Sequence, residues 1–106
     1  MSKKKVNVGN IECGADELFL ISGPCVIEDE SIMMKVAEEL KVITEKLHIP
    51  LVYKSSFQKD NRSSVEYYNG PGIEEGLRIL EKVKTEFGFP LLTDIHYPDQ
   101  IKAAAD

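Results

Sequence analysis

One stretch holds most of the chemistry this sequence offers: Lys54-Ser55-Ser56-Phe57-Gln58-Lys59-Asp60-Asn61-Arg62-Ser63-Ser64, with three cations, two amides and a row of hydroxyls. Ammonium and guanidinium groups beside hydroxyls suit the oxygens of a phosphate or carboxylate, because charge-assisted bonds to such anions are short and strong. A solvated loop has the same composition. What argues against it here is that Lys54 is reached directly from the apolar run Leu51-Val52-Tyr53. No glycine-rich phosphate loop of the Walker type is present. Cys25, after Gly23-Pro24, can be read from its own residues as packing, as a metal ligand or as a nucleophile with His96. Asp94 and His96 lie two apart, so on an extended chain they share a side. Cys25 and these two make no local metal-spacing motif, and a metal site would have to be assembled across strands. His48, just before Pro50, reads as structural.

The elements that must position these groups follow from periodicity. Val6-Asn7-Val8 and Ile11-Glu12-Cys13 flank Gly9-Asn10, a hairpin signal. Leu18 to Ile21 is a short apolar run ended by Gly23-Pro24, which suits a strand buried on both faces. Glu28, Asp29 and Glu30 place negative charge where a helix begins. Met33, Val36, Leu40, Ile43 and Leu47 follow as one apolar helical face, closed by Pro50. Leu51-Val52-Tyr53 is a second strand. Ile73, Leu77, Leu80, Val83 and Phe87 share the face of a second helix, ended by Gly88. Pro90 to Thr93 begins a third strand that Asp94-Ile95-His96 carries to a polar end, and Pro98 suits the first turn of a third helix. The charges Glu38, Glu39, Lys41, Glu74, Glu75, Arg78, Glu81 and Lys82 fall opposite the apolar stripes and read as solvated helix surface.

Strands separated by helices imply parallel strand–helix units with right-handed crossovers. Polar residues gather at the carboxyl ends of all three strands, the edge where parallel α/β folds bind ligands. Three units cannot close a barrel, which takes eight and ~250 residues. A chain that stops just inside a new helix reads as cut. The 106 residues by themselves are therefore expected to be inactive and to fold poorly.

Composition narrows the functional classes. With 42% hydrophobic and 29% charged residues, the chain is an ordinary globular sequence. A net charge of −5 argues against nucleic acid as a partner. Lys3-Lys4-Lys5 has no long apolar run behind it, so neither a signal peptide nor a membrane span is expected, and the protein is expected in the cytoplasm. Two cysteines, Cys13 and Cys25, make no disulfide framework.

Four motifs in order carry a resemblance: Leu-Ile-Ser-Gly-Pro-Cys at 20–25, Lys-Ser-Ser-Phe-Gln-Lys-Asp-Asn-Arg-Ser-Ser at 54–64, Gly-Pro-Gly-Ile-Glu-Glu-Gly-Leu at 70–77 and Thr-Asp-Ile-His at 93–96. Across essentially its whole length the chain resembles the amino-terminal part of the 3-deoxy-octulosonate-8-phosphate synthases. The stretch 54–64 is the most specific part. The related shikimate-pathway synthases carry Lys-Pro-Arg-Thr where this chain has Lys54-Ser55-Ser56-Phe57, and lack the Asn-Arg-Ser-Ser element.

The resemblance implies an α/β fold, the start of a (β/α)8 TIM barrel. Residues 1–15 would be a hairpin capping its bottom, and residues 16–106 the first three strand–helix units, the last helix incomplete. It implies an enzyme that condenses phosphoenolpyruvate with arabinose 5-phosphate, works as a homotetramer and serves lipopolysaccharide core-sugar synthesis. Residue by residue, Lys54, Ser56 and Lys59 match positions that hold phosphoenolpyruvate. Asn61, Arg62 and Ser63 match those meeting the arabinose phosphate, and Asp94 lines the same mouth. Lys59 and His96 are candidates for catalysis or for supporting it. Cysteine at position 25 marks the metal-dependent branch, so Cys25 is expected to ligate a divalent ion. Two other readings stay open: the shikimate-pathway type of synthase, and a small non-catalytic α/β module that binds a phosphate ligand or a partner protein.

Overall fold

The computed structural model describes residues 4–58 and 70–106. The chain opens with an antiparallel hairpin, β1 (Val6–Val8) and β2 (Ile11–Cys13), turning at Gly9-Asn10. Next come β3 (Leu20–Ser22), α1 (Glu30–Leu47), β4 (Leu51–Lys54), α2 (Ile73–Phe87) and β5 (Leu91–Leu92). A 3-10 turn, Pro98–Gln100, leads into α3 (Ile101–Ala105). The strands β3, β4 and β5 form one parallel sheet in chain order, and the hairpin is separate.

Both long helices have local reasons to start and stop. Asp29 caps α1 by accepting from the Ser31 amide at 2.7 Å and the Ser31 hydroxyl at 2.6 Å. Those bonds hold its carboxyl below the usual carboxylate range. Helix α1 ends when His48 turns left-handed at φ 56°, two residues before Pro50. Helix α2 ends as its sequence predicts, at a left-handed Gly88 whose amide reaches the Lys84 carbonyl.

The two helices lie on the same side of the sheet. Met33 and Ala37 from α1 and Ile79, Leu80 and Val83 from α2 share one core with Leu51 and Tyr53 of β4. Since strand residues alternate, Val52 and Lys54 face the other way, and register puts Ile21 and Leu92 beside them. Tyr53 ties the layers together. Its buried hydroxyl donates to the Met33 carbonyl at 2.9 Å, and burial pushes its pKa up to about 12.

Three expectations are corrected by the packing. The buried stripe of α1 is Met33, Ala37 and Thr44, with Leu40 half-buried. Ile43 and Leu47 remain 50% and 59% exposed. The helix carries two adjoining apolar stripes, and the one that meets β4 is the one where small Ala37 permits close approach. Thr44 is tolerated there because its hydroxyl donates to the Leu40 carbonyl at 2.8 Å. The first strand begins at Leu20 and is not buried on both faces: Leu20 and Ile21 are each partly exposed. Among the described residues, β3 has a strand neighbour on one edge only. The third strand is short. Beyond Leu92 the backbone leaves the sheet, so Asp94-Ile95-His96 is not its continuation.

Candidate functional site at the carboxyl ends of the strands

Lys54 closes β4, and its side chain leaves the sheet on the face turned away from the helices. Its ammonium stands 3.6 Å from Oδ1 of Asp94, and the hydroxyl of Ser56 donates to Oδ2 of the same carboxylate at 2.9 Å. Lys54 and Ser56 thus meet a residue 40 (94 − 54) and 38 (94 − 56) positions on, because β4 and β5 are parallel neighbours. An ammonium and a hydroxyl already converge on one pair of carboxylate oxygens, so the pair has the spacing to hold an oxyanion. Lys54 and Asp94 are each about half exposed, and Ser56 beneath them is buried.

The rim is sewn together below these groups. Ser55 donates through Oγ to the Pro24 carbonyl at 2.6 Å, and Thr93 donates through Oγ1 to the Ser55 carbonyl at 2.8 Å. The Ser56 amide reaches the Cys25 carbonyl at 3.4 Å, and the Ile27 amide reaches the Ser56 carbonyl at 2.9 Å. A Cβ on Gly23 would overlap the Lys54 carbonyl oxygen, so only glycine lets the chain leaving β3 lie this close to β4. Phe57, fully buried, fills the space under the rim against Gly76 of α2, where a side chain would collide with it.

Of the predicted site residues, Lys54, Ser56 and Asp94 are brought together. The backbone of Cys25 joins the same rim, and its thiol is exposed rather than packed. His96 lies behind them, its ring edge-on to Phe57 with centroids 5.7 Å apart. Asp94 and His96 therefore do not act as a same-side pair on a strand: one carboxylate joins Lys54 and Ser56 while the imidazole packs on Phe57. Lys59, Asn61, Arg62 and Ser63 lie outside the described residues. Sequence reasoning gave Gly23 only the end of a strand, and singled out neither Ser55 nor Thr93. The only signal for them was position, a serine directly after a charged strand end and a Gly-Pro before Cys25.

Among the described residues, no three His, Cys, Asp or Glu side chains gather where they could hold a metal ion. The exposed side chain of Cys25 is of the right chemistry to be one ligand of a divalent ion.

Of the helix charges read as solvated surface, Glu75, Arg78 and Lys82 are engaged in ion pairs. Glu30 at the start of α1 accepts from Arg78 and from Lys82 of α2, each at 2.8 Å, and Arg78 also pairs with Glu75. The hydrogen bonds from Lys82 and Arg78 keep the Glu30 carboxyl below its ordinary range.

Comparison with known proteins agrees with the motifs that crowd this rim. A 2-dehydro-3-deoxyphosphooctonate aldolase of Geotalea uraniireducens is 48% identical over 97% of this chain. Proteins of that name from Stutzerimonas stutzeri and Pseudomonas fluorescens are 49% and 50% identical over the whole of it. The chain spans 38% of the length of each of these relatives. The model of the DAHP synthetase I family matches residues 2–106, from the hairpin through the third helix, and the chain belongs to that family.

Proposed function

We propose that the full-length protein condenses phosphoenolpyruvate with arabinose 5-phosphate, giving the eight-carbon 3-deoxy sugar acid phosphate and inorganic phosphate. The observation that carries this is the convergence of Lys54 and Ser56 on one carboxylate at the carboxyl ends of parallel strands, in a chain about half identical to proteins named for that octonate. In this reading Lys54 and Ser56, with Lys59, grip the phosphate and carboxylate of phosphoenolpyruvate. Holding the enol in place is most of what the protein must do, because orientation lowers the barrier for its carbon to reach the aldehyde. Water then adds to the neighbouring carbon, and phosphate leaves by carbon–oxygen cleavage. Asn61, Arg62 and Ser63 meet the sugar phosphate, Asp94 faces the sugar across the mouth, and His96 supports the rim from behind.

The parallel sheet with both helices on one side is, in this proposal, the first part of a (β/α)8 barrel, with the hairpin under its amino-terminal end. The assembled enzyme is proposed to be a homotetramer in the cytoplasm. No helix among the described residues is long and apolar enough to cross a membrane. Cys25 is proposed as one ligand of a divalent ion; when bound, such an ion would polarise the aldehyde oxygen.

The decisive experiment offers the full-length protein phosphoenolpyruvate with arabinose 5-phosphate or with erythrose 4-phosphate and measures phosphate release. Turnover with the five-carbon sugar alone is expected. Turnover only with the four-carbon sugar would transfer the assignment to the shikimate-pathway reaction, and turnover with neither would leave a binding module.

A further inference from the structure

Ser55 touches none of the substrate groups proposed above, yet it is the most enclosed polar side chain at the rim, 1% exposed. Its surroundings show why a hydroxyl belongs there. The β3–β4 ladder pairs Ser22 with Tyr53 and resumes with Val26 opposite Ser56. Between those pairs the first chain advances four residues (26 − 22) and the second three (56 − 53), so one extra residue bulges from the β3 side. Bulges bend a strand and re-aim the side chains near them. This one contains Gly23, Pro24 and Cys25. Among the described residues, no backbone amide donates to the Pro24 carbonyl. The Ser55 hydroxyl donates to it instead, at 2.6 Å.

Ser55 is itself held from the opposite side. Its amide reaches the Leu92 carbonyl at 3.3 Å, and its carbonyl accepts the Thr93 hydroxyl at 2.8 Å. One residue therefore spans three strands, through its side chain to the chain leaving β3 and through its backbone to the chain leaving β5.

We infer that Ser55 is a positioning residue, whose hydroxyl, fastened to Pro24, sets where the Gly23-Pro24-Cys25 bulge stands against Lys54 and Ser56. The inference rests on the proposed function in treating Cys25 and Lys54 as parts of one working mouth. Thr93 backs the arrangement from the β5 side. Removing the hydroxyl leaves Lys54, Ser56 and Cys25 chemically intact but releases the bulge that carries the thiol.

The test uses the full-length protein and its Ser55→Ala variant, with two readouts. The first is alkylation of Cys25 by iodoacetamide relative to Cys13 on the distant hairpin, resolved by peptide mass spectrometry at one pH. The ratio is expected to change at least ~threefold, because the exposed thiol loses the fixed surroundings that the fastened bulge gives it. The second is steady-state turnover, where kcat is expected to fall ~10–100-fold, with a smaller change in KM, as misplacement without lost contacts requires. If Ser55→Ala does not fold, Thr93→Val loosens the same serine from the other strand and is read in the same way. An unchanged Cys25-to-Cys13 ratio in a folded variant, or an equal rise at both thiols, overturns the inference. Absence of turnover in the unmodified protein would instead overturn the proposed function, and the labelling ratio would still decide the role of Ser55.

Discussion

At the rim, one ammonium and one carboxylate meet at 3.6 Å, while across α1 and α2 two cations and two carboxylates are joined by contacts that include two of 2.8 Å. Judged by distance, the helix bridge is the stronger cluster. Its members stand on exposed helix surface, where water and salt screen them. The rim groups stand on Ser55, Ser56 and Phe57, all buried, which fix their origin even though their tips are wet. In the proposed function it is the foundation, rather than the length of the contact, that counts. At the bridge each charge is spent on a neighbour. At the rim a single lysine and a supported hydroxyl are aimed at one point.

The comparison is tested most severely by turnover. Lys54→Met in the full-length protein is expected to lower kcat/KM for phosphoenolpyruvate by ~100–1000-fold, the usual effect of removing a donor from an oxyanion site. Arg78→Ala is expected to leave it within about twofold, since surface substitutions remote from a site change little. Equal losses would erase the distinction between the clusters.

A second test addresses the foundation directly. Gly23→Ala forces a methyl against the Lys54 carbonyl, and such overpacking costs about 1–3 kcal/mol. Thermal unfolding should show that loss, and a melting temperature equal to the parent's would mean the close approach at the rim is not required.

The smallest effect belongs to the bridge. The folded state holds the Glu30 carboxyl below its ordinary value of 4.5, so its contribution is present above that pH and is lost as pH falls through the lowered value. Glu30→Gln should therefore melt slightly earlier than the parent at pH 7, the difference should shrink as the pH is lowered into the acid range, and at pH 7 it should vanish in ~1 M salt. A difference that survives either condition would show the bridge to be less screened than its exposure indicates.

Much of this was legible in the residues. Gly9-Asn10, Gly88 and the charges before α1 marked turns and ends by backbone chemistry that operates within a few residues, and the structure places them accordingly. The gathering of polar groups at the carboxyl ends of the strands was also readable, because strands that alternate with helices run parallel and end at one edge. What was hidden depended on partners distant in sequence. Periodicity cannot say which of two adjoining stripes on α1 meets β4, so Ile43 and Leu47 were assigned to the core and Thr44 was overlooked. It cannot pair Glu30 with Arg78, 48 positions on. Nor can it find a serine whose partner is the Pro24 carbonyl, since a carbonyl left over by a one-residue bulge leaves no trace in composition.

The hairpin carries a further consequence, one of time. A Cβ added to Gly9 would come within 2.8 Å of Cγ of Pro90, so the turn nests against a proline 81 residues (90 − 9) later in the chain. During synthesis β1 and β2 can pair almost as soon as they emerge, but their seat does not exist until the start of β5 has been made. Contacts of such wide separation form slowly. The hairpin is thus made well before the residue it rests on, and a ribosome pausing before residue 90 would leave it without its seat.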